Sequence, residues 1–463
     1  MAPKFGTSGL RGLVTELTAE LVQDYTRAFI ASCETGGAVH VGQDLRPSSP
    51  EIAAQVLSAV RAAGLTAIDC GVLPTPALAF SSMAQGHAAV MVTGSHIPAD
   101  RNGLKFYLPS GEISKSDEAE ILGALGGLLS KKEEGALFQQ DSAAAFVERY
   151  TDAFASDTLS GMRIGVYQHS SVARDMLVTI LEALGADVVA LSRSETFIPV
   201  DTEAVDPGTR DMLSGWVKAH TLDAVVSTDG DADRPMLAIA PGDIVPGDVL
   251  GALTATFLGA DVLCTPVSSN TMIDTMNGFT DIHRTRIGSP YVIAAMEGVL
   301  DNSAPAKVVG YEANGGFLLG FEATLPDGTL SPLMTRDCVL PILAPLALAK
   351  QQGVSMAELV GSLPPRFTAA DRLQGIETEK SQAFLAEMRE SADARAEFFT
   401  AMSAETTLDD TDGLRVTFEG GDVVHLRPSG NAPEFRCYAE SSSAEQAHGL
   451  VSAHLALLKA RLG

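Results

Sequence analysis

The sequence predicts an α/β protein built from three related α/β domains and a smaller C-terminal α+β domain. A strand, loop, helix and strand follow one another at residues 38–71, again at 162–192, and more loosely at 261–288. Each copy is followed by a strand, a polar loop and a further strand, which indicates that one structural unit is repeated. Residues 378–403 instead have a helical pattern and precede two or three strands and a closing helix.

The length of 463 residues agrees with this organisation, because domains commonly contain about 100–200 residues. Apolar residues make up 46% of the chain, and its 43 glycines and 23 prolines indicate many short turns. We place the domain boundaries near residues 150, 245 and 365, so that the predicted domains are 1–150, 151–245, 246–365 and 366–463.

The formal net charge is −26, from 32 basic and 58 acidic residues. Such a surface repels nucleic acids and anionic membranes, so we expect neither as a partner. No stretch is apolar enough to span a bilayer, and the amino terminus lacks the apolar segment of a signal peptide. Five scattered cysteines without a CxxC pair favour free thiols in a reducing, cytoplasmic setting. A phosphorylated ligand would need local basic residues or a cation at its site.

The helix of the first repeated unit has recognisable ends. Ser49 is its expected N-cap, Pro50 its first residue and Gly64 the residue that stops it. The helix of the second unit ends near the sequence LGAD, and an apolar strand follows each helix. Both units therefore read as a strand, a helix and a second strand.

Three polar loops follow apolar strands in the sequences AAVMVTGSHIPADRNGLKFY, DAVVSTDGDADRPMLAI and AKVVGYEANGGFLLG. The first two loops share a frame, since each has a threonine (Thr93 or Thr228) and closes with Ala-Asp-Arg at 99–101 or 232–234. We interpret them as equivalent loops of duplicated domains. A loop after an apolar strand is the usual place for a ligand in an α/β sheet.

The second loop places Asp229, Asp231 and Asp233 at alternate positions. Alternate side chains of an extended segment share a face, so the carboxylates either converge on one hard cation (Mg²⁺, Ca²⁺ or Mn²⁺) or form a solvated acidic turn. An EF-hand is excluded, because it needs glycine and glutamate where Arg234 and Ala240 occur. Three aspartates leave a coordination position open, which Mg²⁺ commonly fills with a phosphate oxygen.

Ser95 in the first loop is either a turn hydroxyl or a nucleophile. A serine hydroxyl needs activation before it can attack. Once phosphorylated, however, it carries three acceptor oxygens and would complete the coordination of an aspartate-bound metal. Lys105, and Arg11 in the segment FGTSGLRG, would supply positive charge or act on protons.

Two further loops offer groups that suit a sugar phosphate. Glu312 and Asn314 lie among glycines in GYEANGGF and suit sugar hydroxyls, although an ordinary hairpin has the same composition. The segment RPSGNAPEFR offers an arginine, a hydroxyl, an amide and exposed backbone N–H groups. Such a set is typical of phosphate binding, or of a Pro-Ser-Gly turn that happens to follow an arginine. Its residues are Arg427, Ser429, Gly430 and Asn431.

These loops, in this order and on this domain plan, resemble the α-D-phosphohexomutase superfamily, and within it the bacterial phosphomannomutase/phosphoglucomutase group. The resemblance covers essentially the whole chain and is carried by FGTSGLRG, TGSHIPADRNGLKF, DGDADR and RPSGNAP. It implies four domains around a central cleft, the first three with related mixed sheets and the fourth closing over substrate.

The resemblance also implies a role for each loop. Ser95 would be the phosphorylated residue and would bind Mg²⁺ with the three aspartates, while the fourth-domain loop would bind the distal phosphate. The candidate catalytic residues are Ser95, Lys105, Arg11 and His96; the candidate metal ligands are Ser95, Asp229, Asp231 and Asp233; the candidate substrate contacts are Arg234, Glu312, Asn314, Arg427, Ser429, Gly430 and Asn431.

The implied reaction interconverts hexose 1-phosphate and hexose 6-phosphate, of mannose, glucose or both. It runs through a phosphoserine enzyme and a hexose 1,6-bisphosphate, which also serves as activator. Hexose phosphates are the implied small-molecule partners, and we expect a monomer or a homodimer. The alternatives are a phosphoglucosamine mutase, a serine-dependent sugar phosphatase, which needs only one phosphate site, and a non-catalytic relative that binds a partner.

The sequence departs from the common pattern of the superfamily at four positions. The sugar loop is usually Gly-Glu-x-Ser-Gly-His, whereas Asn314 here replaces the serine and Gly316 the histidine. Ile97 stands where asparagine is frequent, and Asn431 where threonine is usual. The sugar preference, and the residue that takes the place of the histidine, are therefore open.

Overall fold

The structure is a computed structural model that describes residues 3–6, 9–127, 133–302, 306–428 and 434–462. It contains three mixed sheets followed by an antiparallel sheet, which confirms the predicted fold class. Among the described helices, none is both long and apolar enough to cross a lipid bilayer.

The first domain contains an eight-stranded sheet. In chain order its elements are β1 (Lys4–Phe5), β2 (Leu10–Leu13), α1 (Ala19–Ser32), β3 (Ala38–Gln43), α2 (Ser49–Ala62), β4 (Thr66–Val72), α3 (Thr75–Ala84), β5 (Ala88–Val92), β6 (Arg101–Leu108), β7 (Gly111–Glu112), α4 (Lys115–Ala124), β8 (Leu137–Gln139) and α5 (Ala143–Thr151). The strand order is β1-β2-β6-β5-β3-β4-β8, with β7 paired to β6.

Helix α2 begins one residue earlier than the sequence predicts. Ser48 is its N-cap residue, Ser49 its first helical residue and Pro50 its second. Ser49 does not cap the helix because its Oγ donates to Asp44 Oδ1 at 2.5 Å. The C-cap is Ala63, and Gly64 follows it with φ of 78°, so the helix stops at the predicted glycine.

The second and third domains each contain a five-stranded sheet. The second consists of β9 (Arg163–His169), α6 (Arg174–Ala183), β10 (Asp187–Arg193), α7 (Pro207–His220), β11 (Ala224–Thr228), β12 (Pro235–Ile239) and β13 (Asp243–Ile244). The third consists of α8 (Gly247–Leu258), β14 (Val262–Pro266), a 3₁₀ turn (Thr271–Asp274), β15 (Asp281–Thr285), α9 (Ser289–Asn302), β16 (Val308–Tyr311), β17 (Phe317–Leu319), β18 (Ala323–Thr324), β19 (Thr329–Leu330), β20 (Leu333–Asp337), α10 (Leu340–Gln352) and α11 (Met356–Gly361).

The first three sheets share one strand plan, as the repeated sequence units predict. Three parallel strands lie side by side, and an antiparallel strand pairs with the third of them. The shared strands are β4-β3-β5-β6, β10-β9-β11-β12 and β15-β14-β16-β17. The three polar loops therefore occupy equivalent positions, between the last parallel strand and its antiparallel neighbour.

The fourth domain is an antiparallel sheet with helices. It consists of β21 (Phe367–Gln374), α12 (Thr378–Glu390), α13 (Ala392–Phe398), β22 (Glu405–Asp409), β23 (Leu414–Phe418), β24 (Val423–Pro428), β25 (Glu434–Ser441) and α14 (Ala444–Leu462). The helical segment predicted at 378–403 is divided into two helices, because Ser391 adopts an extended backbone and caps α13. Three strands, β23 to β25, occupy the segment from residue 413 to 441 where we expected two or three, and β22 precedes them.

One apolar core is shared by the first three domains. It includes Leu78 of the first domain, Leu177 of the second and Leu343 of the third. Helix α10 is buried along most of its length, from Leu340 to Ala349. The fourth domain has a separate apolar cluster. The shared core fixes the first three loops relative to one another, whereas the fourth domain has its own core and meets the third domain through hydrogen bonds such as that from the Thr271 N–H to Glu440.

Candidate active site

The three equivalent loops leave their sheets after buried strands. Ser95 lies between β5 and β6, the aspartates lie between β11 and β12, and Glu312 lies between β16 and β17. Every residue of β5, β11 and β16 is buried. Each loop thus begins at the carboxyl end of an inner strand, where ligand sites of α/β sheets form.

Ser95 of the first domain touches the aspartate loop of the second. Its Oγ donates to Asp229 Oδ2 at 2.5 Å and lies 3.3 Å from Nδ1 of His96. Ser95 has a left-handed backbone, with φ of 55°. This conformation is uncommon for a residue with a side chain and persists only where the surroundings enforce it. The structure therefore brings the two predicted site loops into direct contact.

Arg46, which the sequence did not indicate as a site residue, holds the Ser95 loop. It follows β3 at the same sheet edge, and only 1% of it is exposed. Its guanidinium lies 4.1 Å from the ring centroid of Phe197, in the second domain. Four backbone carbonyl oxygens of the loop accept hydrogen bonds from it at 2.6–3.0 Å, those of Ser95, Ile97, Pro98 and Arg101.

Asp229, Asp231 and Asp233 form a buried group whose ligand oxygens lie within 4.8 Å of one another. In each residue Oδ1 is buried without a hydrogen-bond partner, whereas Oδ2 is engaged. Unpartnered buried oxygens are unfavourable, and three of them side by side suit a hard divalent cation. The residues present therefore fit Mg²⁺, as the spacing of the aspartates predicts.

The three carboxyl groups differ in their electrostatics. Burial, and the charges of Asp231 and Asp233, raise the pKa of Asp229 well above its ordinary value. Burial acts in the same direction on Asp231, but Lys105 outweighs it and lowers the pKa of Asp231. The pKa of Asp233 is also lowered, because the positive charges of Arg336 and Lys105 outweigh burial. A bound cation would favour the ionised form of all three.

Three of the predicted cationic residues lie beside this group. Lys105 Nζ donates to Asp231 Oδ2 at 2.6 Å and to Asp233 Oδ2 at 2.5 Å. Arg234 Nε lies 3.8 Å from Asp233 Oδ1. Arg11 on β2 lies opposite Gly103 of β6, and burial together with the charge of Arg234 lowers the pKa of Arg11 to about 10. These residues supply the local positive charge that an acidic chain needs to bind a phosphate.

His96 lies next to Ser95, with its Nδ1 3.3 Å from Ser95 Oγ. Burial, and the positive charges of Arg234 and Arg11, lower the pKa of His96 far below its ordinary value. A neutral imidazole accepts a proton at one nitrogen and carries one at the other. The predicted catalytic histidine therefore lies within hydrogen-bond reach of Ser95 Oγ.

Glu312 and Asn314 lie in a tight turn of the third domain, and both are buried. Burial raises the pKa of Glu312. The N–H of Gly316 donates to Asn314 Oδ1 at 3.0 Å, so this oxygen shapes the turn. Gly315 has φ of 87°, which glycine adopts without strain. Asn314 Oδ1 is thus used within the turn, whereas Glu312 Oε2 is buried without a hydrogen-bond partner.

Two further residues, which the sequence did not indicate, contact the aspartates. Thr75 Oγ1 donates to Asp231 Oδ2 at 2.8 Å. Arg336 of β20 lies 2.8 Å from Asp233 Oδ2 and 3.6 Å from Glu312 Oε2. Thr75 follows β4, and the position after a parallel strand was a usable signal. No motif near Arg336 pointed to it.

Arg427 ends a strand of the fourth domain and is ion-paired to a carboxylate. Its Nε lies 2.9 Å from Asp412 Oδ2, which also accepts the N–H of Ile287, in the third domain, at 2.9 Å. A phosphate can replace a carboxylate opposite an arginine. The other three predicted phosphate contacts, Ser429, Gly430 and Asn431, lie outside the described residues.

Models of the phosphoglucomutase/phosphomannomutase family match most of the chain, in four parts. The α/β/α domain I model matches residues 2–127, domain II 144–242, domain III 246–367 and the C-terminal domain 375–456.

Two curated relatives extend over the whole chain. A phosphomannomutase of Sinorhizobium fredii is 44% identical over 476 residues and covers 100% of both chains. A phosphomannomutase of Salmonella muenchen is 42% identical over 463 residues, covering 99% of this chain and 96% of its own. Among solved structures, a phosphoglucomutase/phosphomannomutase family protein from Burkholderia thailandensis has a TM-score of 0.79 at 20% identity, covering 98% of this chain and 97% of its own, and shares the fold.

Proposed function

The chain belongs to the phosphoglucomutase/phosphomannomutase family and is a phosphohexomutase, and we propose that it interconverts hexose 1-phosphate and hexose 6-phosphate through phosphorylated Ser95. Mannose and glucose are the proposed sugars, since both relatives above are phosphomannomutases by name and the matching family models cover phosphoglucomutases as well. The observation that carries the proposal is the 2.5 Å hydrogen bond from Ser95 Oγ to Asp229 Oδ2. It joins a serine of the first domain to the carboxylate group of the second.

In the first half of the proposed reaction, phospho-Ser95 transfers its phosphoryl group to a free hydroxyl of the bound hexose phosphate. The bond between phosphorus and Ser95 Oγ breaks, and a bond between phosphorus and the sugar oxygen forms. The sugar hydroxyl loses its proton, and Ser95 Oγ gains one. His96, whose Nδ1 lies 3.3 Å from Ser95 Oγ, and Lys105 are the proposed proton carriers.

In the second half, the hexose 1,6-bisphosphate turns around and its other phosphoryl group returns to Ser95. The enzyme is then in its starting form, and the phosphate has changed position on the sugar. A bisphosphate supplied from solution would phosphorylate an unmodified Ser95 by the same step. This is why we propose hexose 1,6-bisphosphate as activator as well as intermediate.

The chain's own residues provide the charge that this transfer requires. Asp229, Asp231 and Asp233, with an oxygen of phospho-Ser95, would hold Mg²⁺, which when bound offsets the negative charge of the moving group. Lys105 and Arg11 add positive charge from the protein side. Positioning and charge neutralisation are the main sources of catalysis in phosphoryl transfer.

The substrate would be held at both ends. Arg427 with its neighbours Ser429, Gly430 and Asn431 is the proposed site for the phosphate that does not react. Arg234, Glu312 and Asn314 are the proposed sugar contacts. A second phosphate site favours a mutase over a phosphatase, because hydrolysis needs only one.

The state of Ser95 tests the proposal directly. The purified protein is incubated with a hexose 1,6-bisphosphate and Mg²⁺ and digested, and the peptide that contains Ser95 is examined by mass spectrometry. We expect one phosphoryl group on Ser95 and none in Ser95→Ala. The phosphates of mannose, glucose and glucosamine are then assayed side by side, because preferential turnover of the last would support the phosphoglucosamine mutase alternative.

We also propose domain boundaries near residues 150, 245 and 365. The gap between the matched family models at 243–245 contains the second boundary, whereas the gaps at 128–143 and 368–374 lie near the first and the third without containing them. A cytoplasmic location and a monomeric or homodimeric state stay predictions of the sequence.

A further inference from the structure

Arg336 lies between the aspartate loop and the sugar loop. It belongs to β20 of the third domain, and only 3% of it is exposed. Its Nη2 lies 2.8 Å from Asp233 Oδ2, and its Nη1 lies 3.6 Å from Glu312 Oε2. One buried guanidinium is therefore ion-paired to a carboxylate of each loop.

Gly316 makes room for this arginine. A Cβ atom at Gly316 would lie 2.7 Å from both Cγ and Cδ of Arg336, closer than real Cβ atoms approach their neighbours. The loop position therefore cannot carry a side chain while Arg336 keeps its place. The cationic group beside Glu312 comes from a neighbouring strand instead of from the loop.

A third carboxylate restricts the movement of Arg336. Glu112 Oε1 lies 3.9 Å from Arg336 Nε. Glu112 is itself fixed, because it accepts hydrogen bonds from Ser289 Oγ at 2.7 Å and from Thr335 Oγ1 at 2.8 Å. The guanidinium of Arg336 is thus confined among three carboxylates. If its ion pair with one carboxylate becomes weaker or stronger, its ion pairs with the other two change too.

We propose that Arg336 is a positioning residue that couples sugar recognition by Glu312 to the metal loop at Asp233, an inference that rests on the proposed function of these two loops. A guanidinium has a planar set of donors and can face two carboxylates at once, whereas a lysine ammonium is a compact point charge. A sugar hydroxyl that binds Glu312 changes how strongly Glu312 pairs with Arg336. The strength of the ion pair between Arg336 and Asp233 then changes as well.

A double-mutant cycle on metal affinity tests the coupling. Mn²⁺ binding is measured by electron paramagnetic resonance for the wild type, Glu312→Gln, Arg336→Met and the double variant. We expect Glu312→Gln to weaken Mn²⁺ binding about three- to tenfold, a range in line with coupling between residues in contact, because Arg336 then pairs more strongly with Asp233. In the Arg336→Met background the same change should have less than about a twofold effect.

Sugar selectivity provides a second readout, because it would not change if Arg336 only stabilised the fold. The ratio of kcat/KM for mannose 1-phosphate to kcat/KM for glucose 1-phosphate should shift toward one in Arg336→Met, by about two- to tenfold, because Glu312 is no longer held in one position. Arg395→Met is the matched control. Arg395 is also a buried arginine with a carboxylate partner, Glu405 at 2.7 Å, but it lies in the fourth domain.

The outcomes separate this inference from the proposed function. An equal effect of Glu312→Gln in both backgrounds, or an unchanged sugar ratio in Arg336→Met, overturns the coupling. If Arg336→Met does not fold, Arg336→Lys takes its place in the cycle, because a lysine cannot contact both carboxylates. Absence of turnover by the wild type with either sugar phosphate would instead refute the proposed function, and the Mn²⁺ cycle, which needs no turnover, would still decide the coupling.

Discussion

The guanidinium of Arg46 donates a hydrogen bond to the carbonyl oxygen of Ser95 at 2.7 Å, although the two residues are 49 positions apart in the chain. The same side chain donates a hydrogen bond from Nε to Asp44 Oδ2 at 3.1 Å. Asp44 Oδ2 also accepts a hydrogen bond from Thr93 Oγ1 at 2.8 Å. The backbone of the serine loop is therefore held by a buried polar network, which accounts for the left-handed conformation of Ser95.

Replacing Arg46 should slow the reaction without weakening substrate binding. Arg46→Met removes the donors that hold the loop, so that Ser95 no longer keeps its position beside Asp229. We expect kcat to fall about 10²-fold, the typical cost of a misplacement of about 1 Å, with little change in KM. Steady-state kinetics measures both parameters.

Gly94→Ala provides an independent route to the same effect. A Cβ atom at Gly94 would lie 2.7–2.9 Å from atoms of the Arg46 guanidinium and would displace it. Arg27→Met, which removes a surface ion pair with Asp24 in the same domain, is the control and should leave kcat unchanged. A rise in KM with an unchanged kcat in Arg46→Met would contradict the positioning role.

Ser95→Ala should abolish mutase activity while the protein remains folded. The variant lacks the oxygen that we propose carries the phosphoryl group, so neither half of the reaction can occur. We expect no turnover in a coupled assay and a thermal midpoint close to that of the wild type. Ser82→Ala is the matched control, because Ser82 is equally buried and donates only to the Ala79 carbonyl oxygen at 3.1 Å. Measurable turnover by Ser95→Ala would point to another phosphoryl acceptor.

Local sequence was sufficient to locate the loops that meet in the site. Ser95 and the three aspartates both follow runs of buried apolar residues, and their polar composition is visible without any structure. The repeated order of strands and helices also placed these loops in equivalent positions of their domains. Their contact was expected because three aspartates leave a coordination position open, which a phosphorylated Ser95 would fill. The alternation of Asp229, Asp231 and Asp233 indicated a cation site because spacing alone puts their side chains on one face.

Arg46, like Thr75, follows a parallel strand and so has a positional signal, but neither its contacts nor those of Arg336 could be found in the same way. The role of each depends on contacts with residues that are remote in the chain, and an arginine after a strand or within one has no local pattern that reveals its partners. Gly316 illustrates the point. The sequence shows a glycine at this position, but it does not show that the aliphatic part of the Arg336 side chain occupies the space beside it. In the fourth domain, Ser391 ended one helix and began another, which helical periodicity across 378–403 concealed.

Replacing Arg427 should weaken binding of both sugar phosphates. Arg427→Gln removes a charge-assisted contact to the proposed distal phosphate, and such contacts contribute about 1.5–3 kcal/mol, so KM should rise about tenfold or more for both substrates. Phosphorylation of Ser95 by hexose 1,6-bisphosphate should still occur at saturating concentration. Arg461→Gln, which removes an exposed ion pair with Glu387 in the same domain, is the control. An unchanged KM in Arg427→Gln would place the distal phosphate elsewhere.

Protonation of His40 should destabilise the folded protein in mild acid. Burial, and the charge of His87, lower the pKa of His40 to about 4 from its ordinary value of 6.5. The unfolded chain therefore binds the proton more readily than the folded protein does. The contribution of neutral His40 to the free energy of unfolding is complete above pH 6.5. It decreases as the pH falls toward 4, by up to about 1.4 kcal/mol per pH unit.

The variant His40→Gln separates this contribution from those of the other buried histidines. His169 and His425 also have pKa values lowered to about 4 by burial, so acid should still destabilise the variant. The slope of unfolding free energy against pH, measured by urea denaturation between pH 4 and 6.5, should nevertheless be shallower than in the wild type. His220→Gln, at an exposed position on α7, should keep the wild-type slope. Identical slopes for His40→Gln and the wild type would mean that His40 takes up its proton in the folded protein as readily as in the unfolded chain.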